Sequence, residues 1–387
     1  MNVLDLPAGR SGGGGGGSVS GSGTGGAHPR LCYAGFNQDS GCFVAGTRDG
    51  FRIYNADPLR QKSVHPLPAM MSLIPPSNTA SPAAAWPTAA TAEAGAVGVI
   101  LAEMLFRCNY VALVLADRPR SVKIWDDLKM RFVADLEFNS PVKAVKLRRD
   151  RIVVVTPEII KVFTFTSAPQ SLHVFETPPN PRGLCSLSPS SENSLLAFPA
   201  LENGQVRLFD LAEPEKPMAI VVAHSTRLCY LMLNVQGTKL ATASEKGTLI
   251  RVFNASNGEF ITELRRGTQP ATIYSINFSS DSSLLCASSS HGTIHVFSLA
   301  DPKRNKQSSL ASSGFVNLSI LPKYFASEWS FSRIEIPGAT PCICAFGATP
   351  NSILAVCADG SYHKFLFEKN NFTRDVYQQF LELTEVS

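Results

Sequence analysis

Residues 238–254 read TKLATASEKGTLIRVFN. One alternating run, LATAS (240–244), meets a Lys246-Gly247 turn, and a second, LIRV (249–252), leads into an apolar-aromatic-polar triplet, Val252-Phe253-Asn254. A glycine turn between alternating or β-branched runs is the sequence mark of a hairpin. The triplet recurs as Ile53-Tyr54-Asn55, Ile124-Trp125-Asp126, Val162-Phe163-Thr164, Leu208-Phe209-Asp210, Val296-Phe297-Ser298 and, in looser form, Lys364-Phe365-Leu366. Asp49-Gly50, Asn203-Gly204, His291-Gly292 and Asp359-Gly360 supply matching turns. Successive aromatics lie 71, 38, 46, 44, 44 and 68 residues apart. Four of these gaps fit the ~40–45-residue period of WD40-type blades. Seven such units predict an all-β chain, a seven-bladed β-propeller with a four-stranded antiparallel sheet per blade around a central channel. A β-sandwich would need the seven spacings to coincide by accident.

The two long gaps mark insertions. The first contains PPSNTASPAAAWPTAATAEAG (75–95), whose prolines and missing apolar stripe predict a long surface loop. The second exceeds one blade by roughly twenty-four residues, on that same blade period. Residues 1–29 are rich in Gly and Ser, with six consecutive glycines from Gly12 to Gly17. Such a segment cannot offset its ordering entropy by burial, so a disordered tail is expected ahead of a propeller spanning 30–387.

Composition removes several function classes. In 387 residues, 35 Lys and Arg face 31 Asp and Glu, a net charge of +4, too weak a surplus for a dedicated nucleic-acid protein. Hydrophobic residues make up 44% and charged ones 17%, which suits many buried strands. Nine cysteines are scattered without a C-x-x-C pair, which predicts free, mostly buried thiols rather than a metal site or disulfide framework. The chain has no apolar stretch long enough to span a bilayer, and its start lacks a signal-peptide core. A cytoplasmic protein reaching membranes from outside is expected. Neither G-x-S-x-G, nor H-E-x-x-H, nor a glycine-rich phosphate loop occurs ahead of a helix, so no catalytic residue, cofactor or metal is expected.

The sharpest local feature is Leu264-Arg265-Arg266-Gly267. Arg265 falls twelve residues after Phe253, on the predicted outermost strand of the fifth blade. Neighbouring residues on a strand point to opposite faces, so the two guanidinium groups should serve two different inter-blade grooves. Each is a rigid fork suited to phosphate, and two anion sites are predicted. The alternative is a surface pair, one salt-bridged and one solvated. The fifth blade adds His224, Thr242, Ser244, Lys246 and Thr248, and the sixth adds Ser288, Ser290, His291 and Thr293. Directional donors beside positive charge are what a phosphorylated ring requires.

The second feature is the inserted segment 300–333. It begins with Lys303, Arg304 and Lys306 and continues through Phe315, Val316, Leu318, Ile320, Leu321, Tyr324, Phe325, Trp329 and Phe331. Large apolar groups flanked by cations suit the interface of an anionic bilayer, and 315–325 is expected to contact membrane. Trp329 and Phe331, near the following strand, are expected to cap the propeller core instead.

With GFNQD (35–39), MLFRCNY (104–110), KIWDD (123–127), KAVKLRRDRIVVV (143–155), LLAFP (195–199), LRRG (264–267), DPKRNKQSSLAS (301–312), LPKYF (321–325) and CADGSY (357–362), the chain resembles the PROPPIN or WIPI family of phosphoinositide-binding WD-repeat propellers. Leu264 and DPKRNKQSS look most like the third vertebrate-type branch. The resemblance implies binding of phosphatidylinositol 3-phosphate and phosphatidylinositol 3,5-bisphosphate. Arg265 with His224, Thr242, Ser244, Lys246 and Thr248 would line a first site, and Arg266 with Ser288, Ser290, His291 and Thr293 a second. It also implies a membrane-inserting sixth-blade loop and a monomeric adaptor on phagophore and endosomal or lysosomal membranes. An autophagy lipid-transfer protein would be the partner, touching Asn37 and Asp39. The alternative is a generic WD-repeat scaffold that ignores lipid.

Overall fold

The structure, a computed structural model, describes residues 30–67, 70, 98–217, 219–306, 327–368 and 371–383. The expected tail (1–29), the loop at 75–95 and the expected membrane-contacting side chains Phe315, Val316, Leu318, Ile320, Leu321, Tyr324 and Phe325 lie outside the described residues.

Seven sheets follow one another along the chain. The first blade holds β1 (Leu31–Phe36), β2 (Cys42–Thr47), β3 (Gly50–Asn55) and β4 (Arg60–Pro66). The second holds β5 (Val99–Met104), β6 (Tyr110–Leu115), β7 (Arg118–Asp126) and β8 (Arg131–Glu137). The third is β9 (Ala144–Arg148), β10 (Arg151–Val155), β11 (Ile159–Thr164) and β12 (Ser171–Glu176). The fourth is β13 (Ser186–Leu187), β14 (Leu195–Pro199), β15 (Gln205–Asp210) and β16 (Ala219–Val222). The fifth is β17 (Leu228–Leu233), β18 (Lys239–Ser244), β19 (Leu249–Asn254) and β20 (Phe260–Arg265). The sixth runs β21 (Ile273–Phe278), β22 (Leu284–Ser289) and β23 (Thr293–Ser298). Its chain then departs, adds β24 (Glu328–Trp329) to the fifth blade, and returns as the sixth blade's last strand, β25 (Ser332–Glu335). The seventh is β26 (Cys342–Phe346), β27 (Ser352–Cys357), β28 (Ser361–Glu368) and β29 (Asn371–Gln379). The protein is an all-β, seven-bladed propeller, as its aromatic spacing predicts.

The structure explains the triplet. Tyr54, Trp125, Phe163, Phe209, Phe253 and Phe297 are each the next-to-last residue of a third strand, Phe365 lies inside the longer third strand of the seventh blade, and all are buried. In five blades the pairing with the fourth strand slips by a bulge immediately before the ring: Ile53/Tyr54, Ile124/Trp125, Val162/Phe163, Val252/Phe253 and Lys364/Phe365. A bulge bends its strand and steepens the twist, which re-aims the side chain that follows. Each ring enters the hydrophobic cluster shared with the preceding blade, Trp125 with the first, Phe253 with the fourth, Phe297 with the fifth. Tyr54 of the first blade joins the seventh in the same way and closes the ring. The face carrying the triplet aromatic therefore looks back along the chain. All nine cysteines are free thiols, seven of them buried.

Candidate functional site

The two arginines occupy opposite sides of the fifth blade. Pairing across β19 and β20 sets Ile250 against Leu264 and Arg251 against Glu263. Leu264 is fully buried in the cluster between blades five and six, so Glu263 and Arg265, one residue to either side, face the fourth blade. Arg265 is 8% exposed, and its Nη2 donates to Ser327 Oγ (3.2 Å), which donates to Glu263 Oε1 (2.7 Å). Arg251 Nη2 lies 2.8 Å from Glu263 Oε2, while its Nη1 donates to Ala223 O (2.7 Å). On the same face, Thr242 Oγ1 is 3.0 Å from His224 Nε2, and Ser244 follows two residues along β18. Lys246 is exposed on the β18–β19 turn and Thr248 is half-buried. The sequence reading missed Arg251, Glu263 and Ser327. It also made β20 the blade edge, whereas β24 pairs outside it, Leu264 against Glu328 and Arg265 against Trp329. That parallel contact joins residues some sixty positions apart, beyond the reach of local periodicity.

Arg266 leaves the strand on the other side, 4% exposed. Its Nε donates to Gly247 O (2.9 Å), Nη1 meets His291 Nδ1 (3.1 Å), and Nη2 donates to Gln269 O. Gly247 has φ +61, and a Cβ there would fall 1.7 Å from Ala271 O, so only glycine lets the turn press against the connection carrying Arg266. Arg266 borders a cavity of about 480 Å³, which His291, Thr293, His295, Ser330, Arg333 and Lys306 also line. A polar chain runs through it: Thr293 Oγ1 lies 3.2 Å from His295 Nε2, and His295 Nδ1 lies 2.9 Å from Ser330 Oγ.

Not every expected residue joins these clefts. Ser288 faces the seventh blade, where its Oγ donates to Cys342 O (2.7 Å). Residues of β22 alternate, and it is Ser289, opposite Thr293, that shares the Arg266 side. Ser290 Oγ accepts from Thr272 N–H (3.0 Å), holding the connection between blades five and six. Asn37, expected as a partner contact, is 5% exposed with its amide engaged: Nδ2 donates to Phe106 O (3.1 Å) and Oδ1 accepts from Cys42 N (3.1 Å). It fastens the β1–β2 turn to the second blade and offers no free face. Asp39 is exposed beside Arg107 (3.5 Å). Phe331 is buried in the core between blades six and seven, as expected, but Trp329 is half-buried at the second cleft.

Electrostatics separates cation from donor. Burial, then the Arg251 charge, lowers the His224 pKa to about 4. Burial, then Arg266 and Arg333, lowers His295 to about 3. Both rings are neutral at physiological pH and act as hydrogen-bonding groups. Burial works to raise the Glu263 pKa, but the Ser327 hydroxyl and the Arg251 and Arg265 charges outweigh it and hold the carboxyl below its usual range. The histidines have a stability consequence. An unfolded histidine takes up a proton near pH 6.5, which the folded rings refuse until about pH 4 and 3, so the folded state weakens as pH falls through that window. From pH 7.5 to 5 each should remove ~2 kcal/mol of stability. His295→Gln and His224→Gln should each flatten the melting-temperature profile over this range; an unchanged slope would refute the neutral buried rings.

No helix among the described residues is long and apolar enough to cross a membrane. A family model described as PROPPIN matches residues 91–321. Autophagy-related protein 18e of Arabidopsis thaliana is 35% identical over 340 residues, 86% of this chain and 82% of that protein. Among solved structures, Kluyveromyces lactis Hsv2 superposes with a TM-score of 0.70 at 24% identity, covering 91% of this chain and 99% of that one. KlAtg21, in complex with the coiled coil of AgAtg16, gives 0.66 at 23% identity over 90% and 99%. At such identities the structural matches speak for the fold, while the sequence matches carry the assignment: the chain belongs to the PROPPIN family.

Proposed function

We propose that the chain is a peripheral membrane adaptor that reads phosphatidylinositol 3-phosphate and phosphatidylinositol 3,5-bisphosphate at two clefts flanking Leu264–Gly267. The reading is carried by the splay of Arg265 and Arg266, adjacent in sequence yet each buried among polar groups on a different side of one blade. A buried guanidinium beside neutral hydrogen-bonding rings meets a phosphate with charge-assisted, directional bonds. Arg265 with His224, Thr242, Ser244, Lys246 and Thr248 serves the first cleft. Arg266 with His291 and Thr293 serves the second, joined by Ser289, His295 and Ser330. Phe315, Val316, Leu318, Ile320, Leu321, Tyr324 and Phe325 enter the bilayer and hold the headgroups in place. The adaptor recruits autophagy machinery, including a lipid-transfer protein, to the phagophore; KlAtg21 with the AgAtg16 coiled coil offers a precedent for a propeller of this fold holding a protein partner.

Flotation tests this. The protein should rise with liposomes containing either 3-phosphorylated inositide and stay behind with liposomes lacking them; equal recovery from both would leave a lipid-blind scaffold. Replacing Phe315, Leu318 and Ile320 by serine should reduce flotation at least tenfold, since each loses ~1.5–3 kcal/mol of apolar transfer. Binding of soluble headgroup should stay within about twofold. An equal loss of both would point to misfolding and remove the loop from the membrane contact.

A further inference from the structure

The two clefts differ in charge. On the Arg265 side the Glu263 carboxylate sits within the cluster, 2.8 Å from Arg251 and one hydroxyl away from Arg265. Any phosphate arriving there meets a fixed negative charge. The Arg266 cavity has no carboxylate among its described lining residues, yet Arg266, Arg333 and Lys306 all border it. Arg266 lies deep. Its bonds to Gly247, His291 and Gln269 engage three of its five N–H donors and leave one on each terminal nitrogen, enough for a single phosphate. Lys306 is exposed, and so is Arg333, whose contact is Glu335 at 3.4 Å, with side-chain exposures of 58% and 70%. An exposed pair of this kind is worth little and exchanges readily for a more highly charged partner. The cavity, about 480 Å³, falls within the ~300–1,000 Å³ of ligand pockets and has room for more than one phosphate around a ring.

We propose that the Arg266 cleft is the reader of the doubly phosphorylated inositide: Arg266 takes one ring phosphate and Arg333 with Lys306 takes the second, while the Arg265 cleft, with Glu263 inside it, does not distinguish the two headgroups. This rests on the phosphoinositide reading above and assigns its specificity. The added phosphate carries about −1.5 to −2 charges at neutral pH, so two cations at the mouth act on the bisphosphorylated lipid alone. Hydrogen bonds to charged groups at this strength correspond to a preference of about 10- to 100-fold.

Titration calorimetry with inositol 1,3-bisphosphate and inositol 1,3,5-trisphosphate, the two soluble headgroups, tests the assignment. Arg265→Thr, which isolates the second cleft, should bind the trisphosphate about 10- to 100-fold more tightly. Arg266→Thr, which isolates the first, should hold the two within about threefold. In the otherwise intact chain, Lys306→Gln with Arg333→Gln should abolish the preference and leave inositol 1,3-bisphosphate affinity within about threefold; both side chains are exposed, so the fold has no reason to suffer. Equal ratios in the two isolated clefts, or a double variant that weakens both ligands alike, would overturn the specificity while leaving the lipid reading intact. Binding of neither headgroup by the unaltered chain would overturn both. A free inositol polyphosphate presents the same phosphates, and liposomes separate the sources. For a membrane-borne ligand the Lys306→Gln/Arg333→Gln chain floats on bisphosphate liposomes no better than on monophosphate ones, whereas an undiminished preference there would refute the assignment to lipid.

Discussion

The Arg265→Thr/Arg266→Thr chain is expected to lose flotation on phosphatidylinositol 3-phosphate liposomes down to the level seen without the lipid. Each single substitution should lower apparent affinity by about 100-fold. Two sites that face one bilayer convert the second binding event into an intramolecular one, and such linkage raises affinity by about 10²–10⁴ without a new contact. Removing either arginine therefore removes the linkage along with its own cleft, and removing both leaves only the weak attraction of exposed cations and apolar loop residues. Unfolding is not a competing explanation. After Arg265→Thr, Glu263 keeps Arg251 at 2.8 Å and the Ser327 hydroxyl at 2.7 Å. After Arg266→Thr, the carbonyls of Gly247 and Gln269 lose a donor beside an open cavity, where water replaces it. Thermal melting should accordingly stay near that of the parent chain. Headgroup titration should count two sites in the parent, one in each single variant and none in the double. If one single variant lost all binding and the other none, the pair would be one site with a structural neighbour.

That the arginines diverge can be read from the sequence, because strand alternation is a local rule that needs only their adjacency. Which groove each one enters needs more, namely the direction of one reference side chain, and Phe253 and Phe297 provide it. Rings at the triplet look toward the preceding blade, so Arg251 and His295, each two residues before its ring, look the same way. Read so, the sequence would have yielded both residues and placed Ser289 rather than Ser288 beside Arg266. Asn37 carries no such signal. Its burial depends on the second blade meeting the β1–β2 turn, a contact across 69 positions. Glu328, Trp329, Ser330 and Arg333 were hidden for a similar reason, because the excursion from the sixth blade to the fifth follows from tertiary pairing with no period to announce it.

Ring closure should give the largest stability effect. The first and seventh blades are each made of consecutive strands, and among the described residues no strand is exchanged between them, so side chains join them. Phe380 is fully buried at this seam, edge-on to Phe43 and to Tyr54 with ring centres 5.3 Å away in each case. Tyr362 Oη donates to Ala56 O (2.7 Å), Arg52 Nη1 donates to Leu381 O (2.9 Å), and Lys364 Nζ meets Asp57 Oδ1 (3.0 Å). Phe380→Ala removes the ring that Phe43 and Tyr54 pack against and should destabilise the chain by ~3–5 kcal/mol, lowering the melting temperature by several degrees. Phe372→Ala, an exposed ring near the start of β29, the strand that leads to Phe380, should cost under ~1 kcal/mol. Because Phe43 and Phe380 touch across the seam, Phe43→Leu combined with Phe380→Ala should fall short of additivity by ~0.5–3 kcal/mol. Additive losses, or a Phe380→Ala chain no weaker than Phe372→Ala, would mean that the backbone connection through the remaining blades holds the ring closed without this seam.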